Sequence, residues 1–426
     1  MLEENVLVRS ALDRDALRRR YLAGRVRTKE IFDLIAPQAY YDRPIALRLP
    51  LAFYEGHIPA FSFNTLPRKA LGVPPVHGEL EALFERGIDP ATEEEARQKG
   101  PRLWPARSSV QAFAQACDEA VLAALARPDL ETSESPLLER GEAVFTILEH
   151  EEMHQETLLY LIHQLESRRK NVIGRLRVSE SAPLASGRAE VPAGTAWLGA
   201  ARATCAFGWD NEFERHAVAV DAFEIDVNDV TNGDYFAFVA AGGPVPPFWV
   251  RRYGRWWLRT LLDEVPLPLT WPVYVTHAQA TAYARFRGAR LPTEAEYDRA
   301  AYGTPDGSER RYPWGDAEPT VEHANLDLRR FDPESVGIRP LGASAWGVQD
   351  LAGNGWEWTS TTFAPFDGFT PMASYPQYSA DFFDDAHFVC KGASPATAPA
   401  LLRRSFRNWY RPEYPYVYAT FRCVTV

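Results

Sequence analysis

Two histidines one helical turn apart are the residues of this sequence whose types and spacing most clearly permit chemistry. His150 and His154 lie in the stretch LEHEEMHQETL, residues 148–158. Each residue of an α-helix turns by about 100°, so the two imidazoles lie about 40° apart around the axis and can reach one metal ion. Glu151 and Glu156 lie about 100° and about 240° off this face, so a third ligand must come from elsewhere.

The same stretch matches the H-E-x-x-H pattern of zinc metalloproteases, in which the glutamate is the general base. That interpretation needs Glu151 as the base and a further ligand downstream, for which His163 is the candidate. His163 lies about 180° from His154 on the same helical pattern, and no glycine breaks the helix between them. A zinc hydrolase is therefore kept only as an alternative.

A better candidate for the third ligand is His57, in the stretch FYEGHIPAF of the N-terminal half. We expect it on a helix that packs beside the helix of His150 and His154. Three neutral imidazoles would leave the full charge of a divalent ion and open coordination positions, and imidazole suits iron, zinc and copper alike. The spacing does not choose among these metals.

Helical patterns in the first 185 residues would position these histidines. One follows Ser10, a second follows Ser108 or Ser109, and a third covers about residues 141–169. A further helix could begin after Pro50 and would carry His57. We therefore predict a helical domain over residues 1–185.

The composition of the sequence changes near residue 185, at the small-residue stretch SAPLASGRAEVPAG, which suggests a linker. Short β-like runs such as HAVAVDAFEID then alternate with turns. One or two helices are credible there, namely THAQATAYARFRG and TEAEYDRAAYG. These features predict a loop-rich α+β domain over residues 186–426 and an α+β protein as a whole.

Composition limits the classes of partner. The chain of 426 residues is 46% hydrophobic, with a formal net charge of −11 that argues against a nucleic-acid partner. The charged N-terminus lacks a signal-peptide core, and no long apolar run predicts a membrane span, so we expect a cytoplasmic enzyme without a membrane partner. The four cysteines form no C-x-x-C pair, which argues against a disulfide framework or a zinc knuckle.

The C-terminal half resembles the formylglycine-generating, or sulfatase-modifying factor, enzymes. The resemblance rests on GARLPTEAEYDRAAYG, YPWGD and WGVQDLAGNGWEWTS, and it implies a C-type-lectin-like α+β domain. Formylglycine-generating enzymes carry a closely spaced cysteine pair near the C-terminus. Here that region has only Cys390 and Cys423, so the resemblance does not imply copper-dependent cysteine oxidation.

Taken over its whole length, the chain resembles the sulfoxide synthases of ergothioneine biosynthesis. These combine a DinB-like four-helix bundle, with an H-x-x-x-H-x-E motif and an upstream histidine, with this C-terminal domain. Their three histidines hold iron(II), and the matching positions are His57, His150 and His154. Iron(II) and dioxygen then join a thiol sulfur to C2 of the imidazole of hercynine, the trimethylated histidine. The similar selenoneine synthases join selenium from a selenosugar to the same carbon.

The resemblance also implies site residues in the second domain. It places Asn408 and Trp409 at the wall that binds hercynine, whose quaternary ammonium needs aromatic faces or carbonyl dipoles. It implies a proton-donating catalytic tyrosine, for which Tyr375 and Tyr378 are both candidates. The same loop as Trp409 offers arginines that could clamp a carboxylate, namely Arg403, Arg404, Arg407 and Arg411.

Three departures from the family pattern concern the substrates. Glu152 and Met153 replace two glutamines, of which one contacts the substrate imidazole in many members. Tyr410 replaces the aspartate that members using γ-glutamylcysteine carry after the NW pair, and KGASP at 391–395 replaces RGGSW. Together these departures favour free cysteine or a selenium donor. A non-catalytic binding module on the lectin-like fold is a third hypothesis, and it predicts no bound transition metal.

Overall fold

The computed structural model describes residues 12–85, 103–130, 135–171, 178–182, 187–327 and 331–425. The chain divides into two compact units, which are Met1–Asp33 with Gln38–His154, and Leu34–Pro37 with Gln155–Val426. Ser10 and the domain boundary predicted at residue 185 lie outside the described residues. Within the described ranges, no helix is long and apolar enough to cross a membrane.

Helices build the described part of the first unit. The helix at Leu51–Phe63 has apolar residues around its whole circumference and is therefore buried. Glu55 is its only residue that is not buried. This helix follows Pro50, as predicted, and continues into a π-helical segment at Asn64–Ala70. The helices are α1 (Arg14–Asp33), α2 (Leu51–Phe63), α3 (Gly78–Phe84), α4 (Arg107–Leu125) and α5 (Glu142–His163), of which α5 continues into the second unit.

The ends of two predicted helices need correction. α4 has Ala106 as its N-cap residue without a side-chain cap, so the predicted cap at Ser108 or Ser109 is wrong because both serines already lie inside the helix. α5 ends at His163 rather than near residue 169, where Ser167–Arg169 forms a separate 3-10 turn after the extended residue Glu166.

The described part of the second unit contains short strands in four small sheets, together with three helices. The strands are β1 (Arg188–Val191), β2 (Gly194–Leu198), β3 (His216–Val220), β4 (Phe223–Asp226), β5 (Trp249–Arg252), β6 (Arg255–Arg259), β7 (Glu264–Pro266), β8 (Gly355–Thr362), β9 (Phe388–Ala393), β10 (Asn408–Tyr410), β11 (Ala419–Thr420) and β12 (Val424–Thr425). Their orders are β10-β9-β8-β11, β1-β4-β12, β2-β3 and β5-β6-β7. Among the strands of the described residues, β11 and β8 form the only parallel pair.

Three helices of the second unit begin with the same capping device. They are α6 (Asn232–Ala240), α7 (His277–Phe286) and α8 (Glu294–Tyr302), and a threonine precedes each one. The threonine side chain accepts a hydrogen bond from the backbone N–H of the third helical residue. The side chain of that residue in turn accepts one from the threonine backbone N–H. α7 and α8 confirm the two predicted helices, whereas α6 was not predicted.

A buried ionic network joins separate segments of the second unit. Arg422 is fully buried, and its guanidinium donates to the carboxylates of Glu357, at 2.6 Å, and Asp229, at 3.0 Å. It also donates to the backbone carbonyl groups of Asp226, Val227 and Gln349. Burial raises the pKa of both carboxyl groups, and the arginine opposes that shift.

Candidate functional site

Three imidazoles meet in the first unit. The ligand nitrogens of His57, His150 and His154 all lie within 4.8 Å of one another. The Nε2 atoms of His150 and His154 are 3.1 Å apart. Two nitrogens bound at about 2.1 Å to one ion, at about 90–110° to each other, would be separated by about 3.0–3.4 Å. The spacing of these two nitrogens therefore fits a shared metal ion, as the helical spacing of the sequence predicted.

A hydrogen bond to a backbone carbonyl fixes the ring of His57. Its Nδ1 lies 2.8 Å from the Phe84 carbonyl oxygen, which can only accept, so Nδ1 carries the proton and Nε2 keeps its lone pair for a metal. Metal-binding histidines are commonly oriented by such a contact on the second ring nitrogen. Gly56 permits it, because a Cβ atom there would lie 2.6 Å from the Phe84 ring.

Aromatic rings of α2 flank the three imidazoles. Phe53 stacks on His57 with ring centroids 4.8 Å apart, and Phe61 stacks on His150 at 3.5 Å. The ring of Tyr54 lies 5.7 Å from that of His154. This aromatic support was not predicted from the sequence, although Phe53, His57 and Phe61 follow one another at four-residue intervals along one helix face.

Burial keeps the three imidazoles neutral. It lowers the pKa of His57 to about 4, against a weaker opposing effect of the hydrogen bond to Phe84. It also lowers the pKa of His150 and His154 well below the usual value, and the neighbouring histidines add to this effect. Neutral imidazole is the form that binds metals, so the cluster is ready to coordinate an ion at neutral pH.

The two glutamates between the histidines of α5 face α1 instead of the cluster. Glu151 is buried and accepts hydrogen bonds from Arg25, at 2.9 Å, and Thr28, at 2.6 Å. Glu152 accepts two from Arg20, at 2.9 and 2.7 Å. Among the described residues, the candidate metal group contains no carboxylate. Glu151 is therefore held as an ion-pair partner and is not presented as a general base.

His163, the further ligand that a zinc hydrolase would need, is bound elsewhere. Its Nε2 lies 2.9 Å from the carbonyl oxygen of Arg259, so it donates there. Its Nδ1 lies 3.1 Å from the hydroxyl of Tyr418 and accepts from it. The described residues thus do not assemble the H-E-x-x-H ligand set.

Glu156 is a buried hydrogen-bond acceptor, which was not predicted from the sequence. Its buried carboxylate accepts hydrogen bonds from Trp356 (2.8 Å), Ser394 (2.6 Å) and Thr397 (2.9 Å). Burial raises the pKa of Glu156, and these three donors act in the opposite direction. The only signal in the sequence was the final glutamate of H-x-x-x-H-x-E. The contact connects α5 to the GNGWEWTS strand and to the segment that begins with KGASP.

Trp409 lies in a group of aromatic side chains, here called the Trp409 cluster. Its ring stacks on Phe363 at 4.1 Å and lies 5.3 Å from Tyr378 and 5.6 Å from Phe382. Tyr378 in turn stacks on Trp209 at 3.9 Å. Trp409 and Tyr378 are both only half-buried, so the cluster combines packed rings with accessible edges.

Asn408 and the two candidate tyrosines make contacts within the same region. The side chain of Asn408 accepts from the backbone of Trp409 and donates to the hydroxyl of Tyr410. The ring of Tyr375 lies 5.8 Å from that of Tyr378 and is the second tyrosine of the same segment. Both candidate tyrosines therefore lie close together, but the structure places Tyr378 directly against Trp409.

The arginines of the same loop are mostly bound to internal carboxylates. Arg404 donates two hydrogen bonds to Glu309, at 2.8 and 2.7 Å. Arg407 is buried and donates to Glu294 at 2.9 and 3.2 Å. Arg403 is held in the same way by Glu212. The side chain of Arg411 is 63% exposed and makes a longer contact of 3.4 Å with Asp384, so it retains the most capacity for a ligand.

These features define a protein of the sulfatase-modifying-factor class with a separate three-histidine site. The family described as sulfatase-modifying factor enzyme 1-like domain matches residues 178–426. The formylglycine-generating enzyme of Mycobacterium tuberculosis is 29% identical over 298 residues, which cover 55% of this chain and 96% of that protein.

Two longer matches extend beyond this domain. The hercynine oxygenase of Mycobacterium tuberculosis is 36% identical over 366 residues, or 77% of this chain and 79% of that protein. The hercynine oxygenase of Mycolicibacterium thermoresistibile is 35% identical over 383 residues, or 80% of this chain and 79% of that protein. The chain therefore belongs to the family of ergothioneine-biosynthesis sulfoxide synthases. The DinB-like character of its helical unit stays a prediction.

Proposed function

We propose that this protein uses iron(II) and dioxygen to form a carbon–sulfur or carbon–selenium bond at C2 of the hercynine imidazole. The observation that carries the proposal is the neutral cluster of His57, His150 and His154 in a chain related to hercynine oxygenases. Bound iron(II) would supply the redox activation that this imidazole carbon needs before it can accept a chalcogen. The three histidines would hold the ion and leave further positions open to ligands.

The Trp409 cluster is the proposed site for the trimethylammonium group of hercynine. A quaternary ammonium cannot donate a hydrogen bond, so aromatic faces are its natural partners. One face of Trp409 stacks on Phe363, so the ammonium group is proposed to contact the part of this half-buried ring that its neighbours leave exposed. Within the cluster, Tyr378 is the better of the two candidates for the proton-donating tyrosine.

The donor is proposed to be free cysteine or a selenosugar. Tyr410 follows Trp409, and burial raises its pKa well above the usual value, so it offers no anionic charge to a donor ammonium group. Arg411 is the arginine proposed to receive a donor carboxylate, because Arg404 and Arg407 are engaged by Glu309 and Glu294. Met153 replaces a glutamine of the family and cannot hydrogen-bond the substrate imidazole as an amide would.

A donor-competition assay tests this function. Anaerobically iron-loaded protein is given hercynine with cysteine, γ-glutamylcysteine and a selenosugar together, then exposed to oxygen. We expect one hercynine adduct by mass spectrometry, carrying sulfur from cysteine or selenium from the selenosugar, and no adduct when zinc replaces iron. The absence of an adduct with every donor would refute the proposed function, and a γ-glutamylcysteine adduct would refute the donor assignment.

The substitution Tyr378→Phe is expected to lower kcat by about 100-fold, because a positioned proton donor typically accelerates a reaction by about 100- to 10,000-fold. The ring, and with it the packing on Trp209, is kept. The matched change Tyr375→Phe should leave kcat almost unchanged. Steady-state kinetics of both variants with iron content held equal would decide, and the opposite order of effects would transfer the role to Tyr375.

A further inference from the structure

The hairpin of β5 and β6 presents an unusual combination of side chains at its tip. Its sequence VRRYGRWW places Arg251, Arg252 and Arg255 around a two-residue turn formed by Tyr253 and Gly254. All three arginines are exposed, and Tyr253 is 99% exposed. Tyrosine, tryptophan and arginine are the residue types most enriched at the energetic centres of protein interfaces.

Within the described ranges, two of the three arginines at this tip have no acidic partner. Arg252 is paired with Glu264, at 3.1 and 3.0 Å. Arg251 lies over the Trp256 ring at 5.7 Å, and neither Arg251 nor Arg255 has an ion pair in the part of the chain that the structure describes. Two guanidinium groups and an aromatic face are therefore free to meet an acidic partner.

Tyr253 has a backbone conformation that is unfavourable for a bulky residue. Its φ is +48°, and the φ of Gly254 is +74°. Two-residue hairpin turns with positive φ at both positions favour asparagine or glycine, because a bulky side chain is strained there. With 99% of its surface exposed, the tyrosine gains almost nothing from packing within the chain that could offset this cost.

The charge balance of the chain indicates what the tip would bind. The three arginines contribute +3 to a net charge of −11, so the rest of the chain carries −14. A second copy therefore carries an excess of carboxylates, and their attraction for the arginines acts over about 8 Å at physiological salt. A nucleic-acid site would need a broad basic surface on a basic domain, whereas the pI here is about 5.4.

We propose that this hairpin tip, comprising Arg251, Tyr253 and Arg255 with the Arg251–Trp256 pair, is a self-association surface that docks on an acidic region of a second copy. Two copies can exchange the contact across a twofold axis, so that each hairpin meets the acidic region of the other chain and the assembly is closed. The proposal is independent of the reaction that the protein catalyses.

Sedimentation equilibrium of the full chain tests the proposal. We expect a dimer that dissociates as salt rises from about 0.01 M to about 1 M, over which the Debye length falls from about 30 Å to about 3 Å. The double variant Arg251→Glu, Arg255→Glu should raise the dissociation constant at least about 30-fold, which corresponds to one interface hot spot. Arg285→Glu with Arg311→Glu, exposed arginines elsewhere, applies the same change of charge and should leave association unchanged.

A second variant separates the docking role from folding. Tyr253→Gly removes the ring and suits the positive φ, so it should weaken association without lowering the free energy of unfolding. A wild-type chain that remains monomeric at high concentration would overturn the proposal, as would equal effects of the two charge-reversal pairs. Binding of the hairpin to nucleic-acid fragments or anionic vesicles by a monomeric protein would also overturn it and identify a different partner.

Discussion

The substitution His154→Ala is expected to prevent the protein from retaining iron and to abolish the proposed reaction. The variant keeps only His57 and His150 of the three proposed ligands, whose nitrogens lie within 4.8 Å of one another. Loss of an outer hydrogen bond to a metal ligand already costs about 10- to 100-fold in metal affinity, so loss of a ligand itself should cost more. Iron content after anaerobic loading and desalting is the measurement, with the circular dichroism spectrum as a check on folding.

Glu151→Gln is the matched control for this experiment. Glu151 lies on the same helix and is also buried, but its carboxylate is held by Arg25 and Thr28 on the side of α1. We expect this variant to keep stoichiometric iron and activity. Stoichiometric iron in His154→Ala would contradict the ligand assignment. Zinc-dependent activity that is lost only in Glu151→Gln would instead favour the hydrolase hypothesis.

Long helices were predictable because their apolar residues recur with the helical period over four or more turns. The ends of these helices were harder to predict, because the cap is the residue at which the backbone leaves the extended conformation. In α4 that residue is Ala106, which precedes both predicted serines. The strands of the second unit have two to eight residues and pair with distant partners. β12, for example, joins β4 across about half of the chain. Periodicity over so few residues cannot identify a partner.

The convergence of the three histidines was largely predictable, whereas the contacts of the predicted substrate residues were not. His150 and His154 are constrained by one helical turn, and the prediction that Glu151 lies off their face is confirmed. The engagement of Arg404 depends on Glu309, 95 residues away, and that of Arg407 on Glu294, 113 residues away. Such pairs form only when the loops fold together, so a loop rich in arginine could not reveal which of them is exposed.

The substitution Arg422→Met is expected to destabilise the second unit by about 3–5 kcal/mol, which is the usual cost of removing one partner from a buried ion pair. Arg422 is fully buried, and it balances the carboxylates of Glu357 and Asp229. Without it, two acidic groups remain buried without a cation. Urea unfolding followed by tryptophan fluorescence would measure this loss, because all 12 tryptophans except Trp104 lie in the second unit.

The matched control is Arg311→Met, which breaks an exposed ion pair with Glu318 and should cost less than about 1 kcal/mol. The pH dependence supplies a second test. Burial already raises the pKa of Asp229 and Glu357, and losing Arg422 should raise both further. The folded variant then binds more protons than its unfolded chain, so its deficit against the wild type should shrink as pH falls from about 8 to about 5. A deficit that is small, or independent of pH, would mean that the two carboxylates do not depend on Arg422.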